Sequence, residues 1–361
     1  MSANICQHRV VVLHDKVTAD SPADEQDNLV QVGEVAAALR RFGFAVETIP
    51  FSRDLQQTLA ALRAARPDVV FNLVESLEGD GRLAYTAPAL LDACALPYTG
   101  AGTSGLLVSG DKRLAKRLLA AAGVRTPAIA YDAVELAGWD DEHVGIVKPA
   151  CEDASVGIDA RSVQRGRDAL AAELDSRRRR FGGAWFVERY VDGREINLSL
   201  LAGPTGIEAL PVAEIEFIDY PPGRPRIVDY EAKWVPGSHA YTNTPRRFLT
   251  AGAEAALCDE LARLALVCHS VLDLGPYARI DFRVDADGQP FVLEANANPC
   301  LSSDAGFTAA AAEAGIRFDE IMERILIACG TALPREFDAS TPAASRTLSA
   351  STAARRLEVG T

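Results

Sequence analysis

The chain lacks several features that would announce a function by themselves. It has no surplus of basic residues: over 361 residues the formal net charge is -13. A nucleic-acid partner needs a basic surface to neutralise phosphates, so that class is excluded. The one basic run, residues 177–180, is short and precedes Phe181-Gly182-Gly183, which suits a solvated helix end. No apolar stretch approaches the length of a membrane span, so no membrane partner is expected. No basic segment followed by an apolar stretch and a cleavage site is apparent, so no secretory signal is expected. There is also no Cys-x-x-Cys pair. The seven cysteines (Cys6, Cys94, Cys151, Cys258, Cys268, Cys300 and Cys329) are scattered, as are the five histidines, so no zinc spacing arises. An odd, scattered set reads as reduced thiols in a cytoplasmic protein. His14, just after the first apolar run, reads as a loop histidine.

What is present is ordinary soluble composition, 48% hydrophobic and 24% charged, in a chain long enough for two or three domains. Residues 9–14 form an apolar run suited to a buried parallel strand. A polar loop follows, and then helical spacing from Leu29 to Arg41 through Val32, Val35, Ala36 and Leu39. Residues 44–49, 55–65 and 68–74 continue as strand, helix and strand. This alternation is a doubly wound α/β unit, whose ligands meet the carboxyl ends of the strands. Helices are expected at residues 84–95 and 112–122, then a region of strands with a loop and a helix. A long helix over residues 251–272, a hairpin, and helices over 305–314 and 318–328 complete the pattern. From Arg335 to Thr361 the chain has no apolar period and is expected to be a disordered tail.

The hairpin is the most informative segment. Ile280, Phe282 and Val284 alternate with Arg279, Asp281 and Arg283, so the apolar set faces a core and the polar set faces away. Asp285-Ala286-Asp287-Gly288 signals the turn. The returning strand carries Glu294 and Asn296 on one face. Pairing the strands gathers two carboxylates and an amide oxygen beside an arginine, hard ligands that suit Mg2+ with bound phosphates. The alternative is a solvated sheet face with a surface ion pair. Upstream, Lys148 ends a strand, and Pro149 forces extended geometry on it. The loop of small residues from Ala150 to Ile158, with Ser155 and Gly157, can fold over phosphates and offer them backbone N–H groups. Glu188, Arg189 and Glu195 lie at a strand–turn–strand linker that could meet an adenine edge and ribose hydroxyls, or be a plain surface turn. Residues 230–241 read as a long mobile loop.

Together these blocks resemble the ATP-grasp superfamily, and within it the D-alanine–D-alanine ligase-like group, from about Val10 to Gly330. They are Tyr98-Thr99-Gly100-Ala101-Gly102, Asp111-Lys112 with Lys116, Val147-Lys148-Pro149 with Ser155-Val156-Gly157, Val187-Glu188 with Gly193-Arg194-Glu195, Tyr230-Glu231-Ala232-Lys233, Arg279-Ile280-Asp281 and Leu293-Glu294-Ala295-Asn296. The resemblance implies a three-domain ATP-grasp fold: an N-terminal doubly wound α/β domain (1–110), a central subdomain (111–190) and a C-terminal subdomain (191–334). It implies that Lys112 and Lys148 bind ATP phosphates beside the Ser155–Gly157 loop. Glu188 and the backbone at Arg189 would bind adenine, and Glu195 ribose. Asp281, Glu294 and Asn296 would hold two Mg2+ ions, with Mn2+ as a substitute. Arg279 would stabilise charge on a tetrahedral intermediate, and Lys233 would sit on a loop that closes over the site. The implied reaction turns a carboxylate into an acyl phosphate that an amine attacks, so the partners are small-molecule carboxylate and amine substrates. A homodimer is the default expectation.

The chain departs from the family where substrates would be held. A family glutamate that grips the first substrate's amine falls near Asp24 or Glu25. The first serine of the Lys-Pro loop is Ala154, and the tyrosine after the loop lysine is Trp234. A glycine whose N–H helps hold the oxyanion is Cys300, which could act only through its backbone N–H. The serine that grips the second substrate's carboxylate falls at Ala305. Kept activation residues with changed substrate residues lead to the expectation of a ligase acting on substrates other than two D-alanines. The alternatives are a D-alanine–D-alanine ligase with a divergent pocket, a small-molecule kinase, and an ATP-binding protein that no longer catalyses.

Overall fold

The computed structural model describes residues 8–18, 20–152, 154–250 and 252–334, without the side chains of Ala23 and Asp24. The expected tail and Cys6 lie outside these residues, as does the side chain of Asp24.

The first apolar run becomes strand β1 (Arg9–Asp15), the centre of a parallel sheet. Helix α1 (Ala23–Arg41) leads to β2 (Ala45–Phe51), and α2 (Leu55–Ala65) leads to β3 (Val69–Leu73). Both outer strands pair parallel to β1. Helix α1 starts six residues before the expected Leu29, opened by Pro22 in extended geometry. Its first turns carry polar residues and so give no apolar period, although Asn28 donates to the Leu73 carbonyl at 2.9 Å and ties the helix to the sheet end. Helices α3 (Thr86–Ala93), α4 (Thr103–Ser109) and α5 (Lys112–Ala121) carry the chain onward. Asp111 caps α5 by accepting from the Arg113 and Leu114 amides.

A second sheet is antiparallel and has four strands. Strand β4 (Ile129–Ala130) is followed by the short helix α6 (Ala133–Leu136) and by β5 (Val144–Pro149). Strand β6 (Val163–Arg165), helix α7 (Arg167–Phe181) and β7 (Trp185–Arg189) complete it, in the order β4-β7-β5-β6.

The third sheet is built from β8 (Arg194–Gly203), β9 (Gly206–Ala209) and β10 (Ala213–Ile215). After the short helices α8 (Tyr230–Trp234) and α9 (His239–Thr242) come β11 (Arg246–Phe248), helix α10 (Ala255–Leu272), β12 (Tyr277–Val284) and β13 (Pro290–Ala297). The order is β11-β10-β8-β12-β13, with β9 on β8. The segment read as a mobile loop therefore contains two helical turns. Asp229 caps the first by accepting from the Ala232 amide at 3.0 Å. Helices α11 (Gly306–Glu313) and α12 (Phe318–Ala328) close the fold.

The apolar side of the hairpin is buried as expected: Ile280, Phe282 and Val284 join a core that includes α10 residues Leu261, Ala265 and Cys268. Another core crosses between units. Val10, Phe71 and Leu39 of the first unit pack in one cluster with Leu201, Tyr277, Phe307 and Ile325.

Candidate active site

Three neighbouring strands of the third sheet place polar residues on one face. Strand pairing sets Asp281 opposite Asn197 on one side and Glu294 on the other. It sets Arg279 opposite Ser199 and Asn296, and Arg283 opposite Glu195. Because side chains alternate along a strand, these residues share the face that the core does not use. That face is not a solvated surface: Asp281 and Arg283 are both buried. The Arg279 guanidinium grips Asp281 with two hydrogen bonds of 2.8 Å. Asn197 Nδ2 and Asn296 Nδ2 donate to the same carboxylate at 2.7 and 3.1 Å. Arg283 Nη2 donates to Glu195 Oε2 at 2.8 Å. Asn197 and Arg283 were missed as site residues. Arg283 shares the alternation of Arg279 and Asp281, whereas Asn197 gives no signal until the strands are paired.

Above this face stand lysines from three other elements: Lys112 of α5, Lys148 of β5 and Lys233 of α8. Lys112, at the start of α5, reaches Glu294 Oε2 at 3.3 Å and donates to the Glu152 carbonyl at 2.8 Å. Burial alone would raise the Glu294 carboxyl. Lys112, Lys233, Lys148 and Arg279 outweigh it and hold Glu294 well below the ordinary carboxylate range. Lys233 is pushed down by burial and by Arg279, and it makes no ion pair within 4 Å among the described residues. A protein of strong net negative charge thus turns locally basic at one place, which suits a polyanionic ligand.

Lys148 and Lys116 share Glu188. Lys148 Nζ lies 2.7 Å from one oxygen and Lys116 Nζ 2.6 Å from the other. Glu188 is 1% exposed. Burial opposes its charge, but the two lysines hold its carboxyl below the usual range. Lys116, the partner missing from the expected site set, is lowered by that burial. Both Glu188 oxygens are therefore already engaged by lysines. The Arg189 side chain is exposed, and the Arg189 backbone amide donates to the Ala128 carbonyl at 2.8 Å.

The Lys-Pro loop lies beside helix α8. Ser155 Oγ donates to the Val228 carbonyl at 2.7 Å, and Tyr230 N to the Ile158 carbonyl at 3.1 Å. Trp234 Nε1 donates to the Ala154 carbonyl at 2.9 Å. Two separate departures from the family pattern thus meet in one contact. The indole bonds a main-chain oxygen, so no side-chain hydroxyl is required at 154. Gly157 has φ +71° and a Cβ there would lie 2.7 Å from Trp185 Cη2, so only glycine fits.

Past β13, the Leu301 amide donates to Gln31 Oε1 at 2.7 Å, and the Ser303 amide to Glu34 Oε2 at 2.7 Å. Both acceptors belong to α1. Cys300 Sγ donates to Asp27 at 3.4 Å, and burial pushes its thiol up to about 12. It is protonated at neutral pH, which removes a nucleophilic role and leaves the backbone N–H. Glu25 approaches Asp15, which sits at the end of β1 and accepts from the Glu75 and Ser76 amides at 2.9 and 3.1 Å.

The residues fit a hard divalent cation. Asp281 and Glu294 are direct cross-strand neighbours, Asp281 buried against Arg279 and Glu294 half-buried beside Lys112, and Asn296 donates through its nitrogen and keeps its amide oxygen as an acceptor. Among the described residues no three His, Cys, Asp or Glu side chains gather as a metal cage. A site of one or two carboxylates completed by substrate phosphates is the usual arrangement for Mg2+.

The comparisons agree with this geometry. Residues 143–327, more than half of the chain, match the family described as the D-ala D-ala ligase C-terminus. The chain belongs to the D-alanine–D-alanine ligase family. It is 33% identical to the D-alanine–D-alanine ligase of Chromohalobacter salexigens, over 88% of this chain and 93% of that one. It is 30% identical to the uncharacterised protein y4sG of Sinorhizobium fredii, over 81% and 85%. The crystal structure of the Bacillus anthracis D-alanine–D-alanine ligase complexed with ATP has the same fold, with TM-score 0.68 at 20% identity, covering 89% and 97%. As a member of this ATP-grasp family the protein is an ATP-dependent ligase that forms an amide bond between small molecules. No helix among the described residues is long and apolar enough to cross a membrane.

Proposed function

We propose that this ligase activates a carboxylate as an acyl phosphate and joins it to an amine, with at least one substrate other than D-alanine. The observation that carries the chemistry is the cation cluster of Lys112, Lys148, Lys233 and Arg279 around Glu294. Lys112 and Lys148 would hold the phosphates of ATP. Glu188 would act mainly by positioning Lys148, so adenine would meet the backbone near Arg189, and ribose the Glu195 carboxylate. Asp281, Glu294 and Asn296 would hold Mg2+, which when bound spreads the charge of the transferring phosphoryl group. Arg279 would stabilise the oxyanion as the amine adds, helped by the Cys300 N–H. Lys233 and Trp234, clasped to the Lys-Pro loop, would exclude water from the acyl phosphate. We divide the chain at residues 110, 190 and 334, in keeping with the three sheets. A cytoplasmic homodimer is part of the same proposal.

The reading of changed substrates rests on the residues that replace the family's substrate contacts: Cys300, bonded to Asp27, and Ala305, which gives α11 no side-chain cap. A second reading, ligation of two D-alanines, is favoured by the names of relatives at 32–33% identity. Phosphate release from ATP and Mg2+ across a panel of amino acids separates them. Some pair should exceed D-alanine with itself. If D-alanine with itself is turned over as well as any other pair, the second reading stands.

A further inference from the structure

Strand β11 begins with two arginines whose side chains are treated very differently. Arg247 is surrounded by acid, with Glu214, Glu216 and Glu254 all within ion-pair distance. The Arg246 side chain has no hydrogen bond or ion pair among the described residues, although its backbone pairs with β10. Its guanidinium lies beside the segment that follows the catalytic strand: Nη2 is 3.4 Å from where a Cβ on Gly306 would sit. It is near enough to Arg279 for the two charges to repel, and Asp304 is the acid whose field reaches it. Asp304 is itself held by Ser302 Oγ at 2.9 Å.

An unpaired guanidinium next to a catalytic arginine raises the local potential, and a bound anion would relieve it. The amine that attacks the acyl phosphate must approach Arg279. In an amino acid the amine and the carboxylate are one carbon apart, so an amine at Arg279 leaves its carboxylate on the neighbouring group. That neighbour is Arg246. The absence of a side chain at Gly306 keeps the approach open, and Ala305 offers no hydroxyl there.

We infer that Arg246 is the specificity residue for the amine substrate, and that this substrate carries a free carboxylate: an amino acid or peptide rather than a polyamine, amino sugar or ester. This rests on the ligase reading above and deepens it. The test measures binding without turnover, so it stands even if no pair is ligated. The full-length protein, with a non-hydrolysable ATP analogue and Mg2+, is titrated in a calorimeter with the twenty common L-amino acids and D-alanine, each against its own carboxamide. At least one acid should bind about tenfold or more tightly than its amide. Arg246→Gln should remove that preference, and Arg246→Lys should restore part of it. Equal binding of acid and amide, a preference that survives Arg246→Gln, or no binding by any of the acids would overturn the inference. Failure of the ligase reading would appear elsewhere, as no amide product from any pair.

Discussion

At the residue scale, Glu188 shows how sequence and structure divide the information. The strand that carries it and its place beside Lys148 are legible from Trp185-Phe186-Val187 and the Lys-Pro step. That Lys116 would take its other oxygen is not, because a helical lysine four residues after Lys112 looks like a solvated face until α5 is packed. Removing the shared carboxylate leaves the buried Lys116 and the half-buried Lys148 ammonium groups without their common counter-charge. Glu188→Gln should therefore cost about 3–5 kcal/mol of stability, the range for breaking a buried ion pair, read by urea unfolding. It should also raise KM for ATP, since Lys148 loses its anchor. Asp15 offers a pH-dependent case. Burial, aided by Glu25, raises its carboxyl to about 6 despite the Ser76 and Glu75 hydrogen bonds. The folded state thus holds this proton more tightly than the unfolded chain does. Its contribution to stability is full below the unfolded value near 4 and is lost as pH rises through 6. Asp15→Asn should remove that slope, so melting curves from pH 4.5 to 7.5 should show the variant gaining on the parent as pH rises. A parallel pair of curves would contradict this.

At the element scale, helices and strands with a clear apolar period were legible. Helix α2 and helix α12 span the expected residues, and the hairpin pairs as its alternation requires. The misses share a cause. The first turns of α1 and the whole of α8 are made of polar or mixed residues whose order comes from tertiary hydrogen bonds, such as Tyr230 N to the Ile158 carbonyl. Such contacts leave no periodic trace in sequence. The clasp between α8 and the Lys-Pro loop gives the proposed water exclusion a test. Trp234→Phe keeps the ring but deletes the donor to the Ala154 carbonyl. One net hydrogen bond of about 1 kcal/mol should raise the open population several-fold. More acyl phosphate would meet water, so phosphate released per amide formed should rise in the variant while ATP binding is kept. An unchanged ratio would mean that the clasp does not guard the intermediate.

At the scale of the whole molecule, the candidate site draws on the second and third sheets and on helix α1. No single sheet contains it. The central sheet brings Lys148 and Glu188, the third sheet brings Arg279, Asp281 and Glu294, and α1 of the first unit holds Leu301 and Ser303 in place. A core running from Val10 to Ile325 ties the first and last units together. The residues proposed for activation stand in contiguous blocks, so they could be named from the sequence. The wall proposed to face the substrates could not, because residues 27–34, 246 and 300–306 meet only in the fold. The most direct measurement follows the fate of one oxygen atom. With the best amino-acid pair from the panel, the donor carboxylate is labelled with 18O and the released phosphate is analysed by mass spectrometry. Activation as an acyl phosphate predicts one labelled oxygen in the phosphate, with ADP as the co-product. Unlabelled phosphate, or AMP with pyrophosphate, would contradict it.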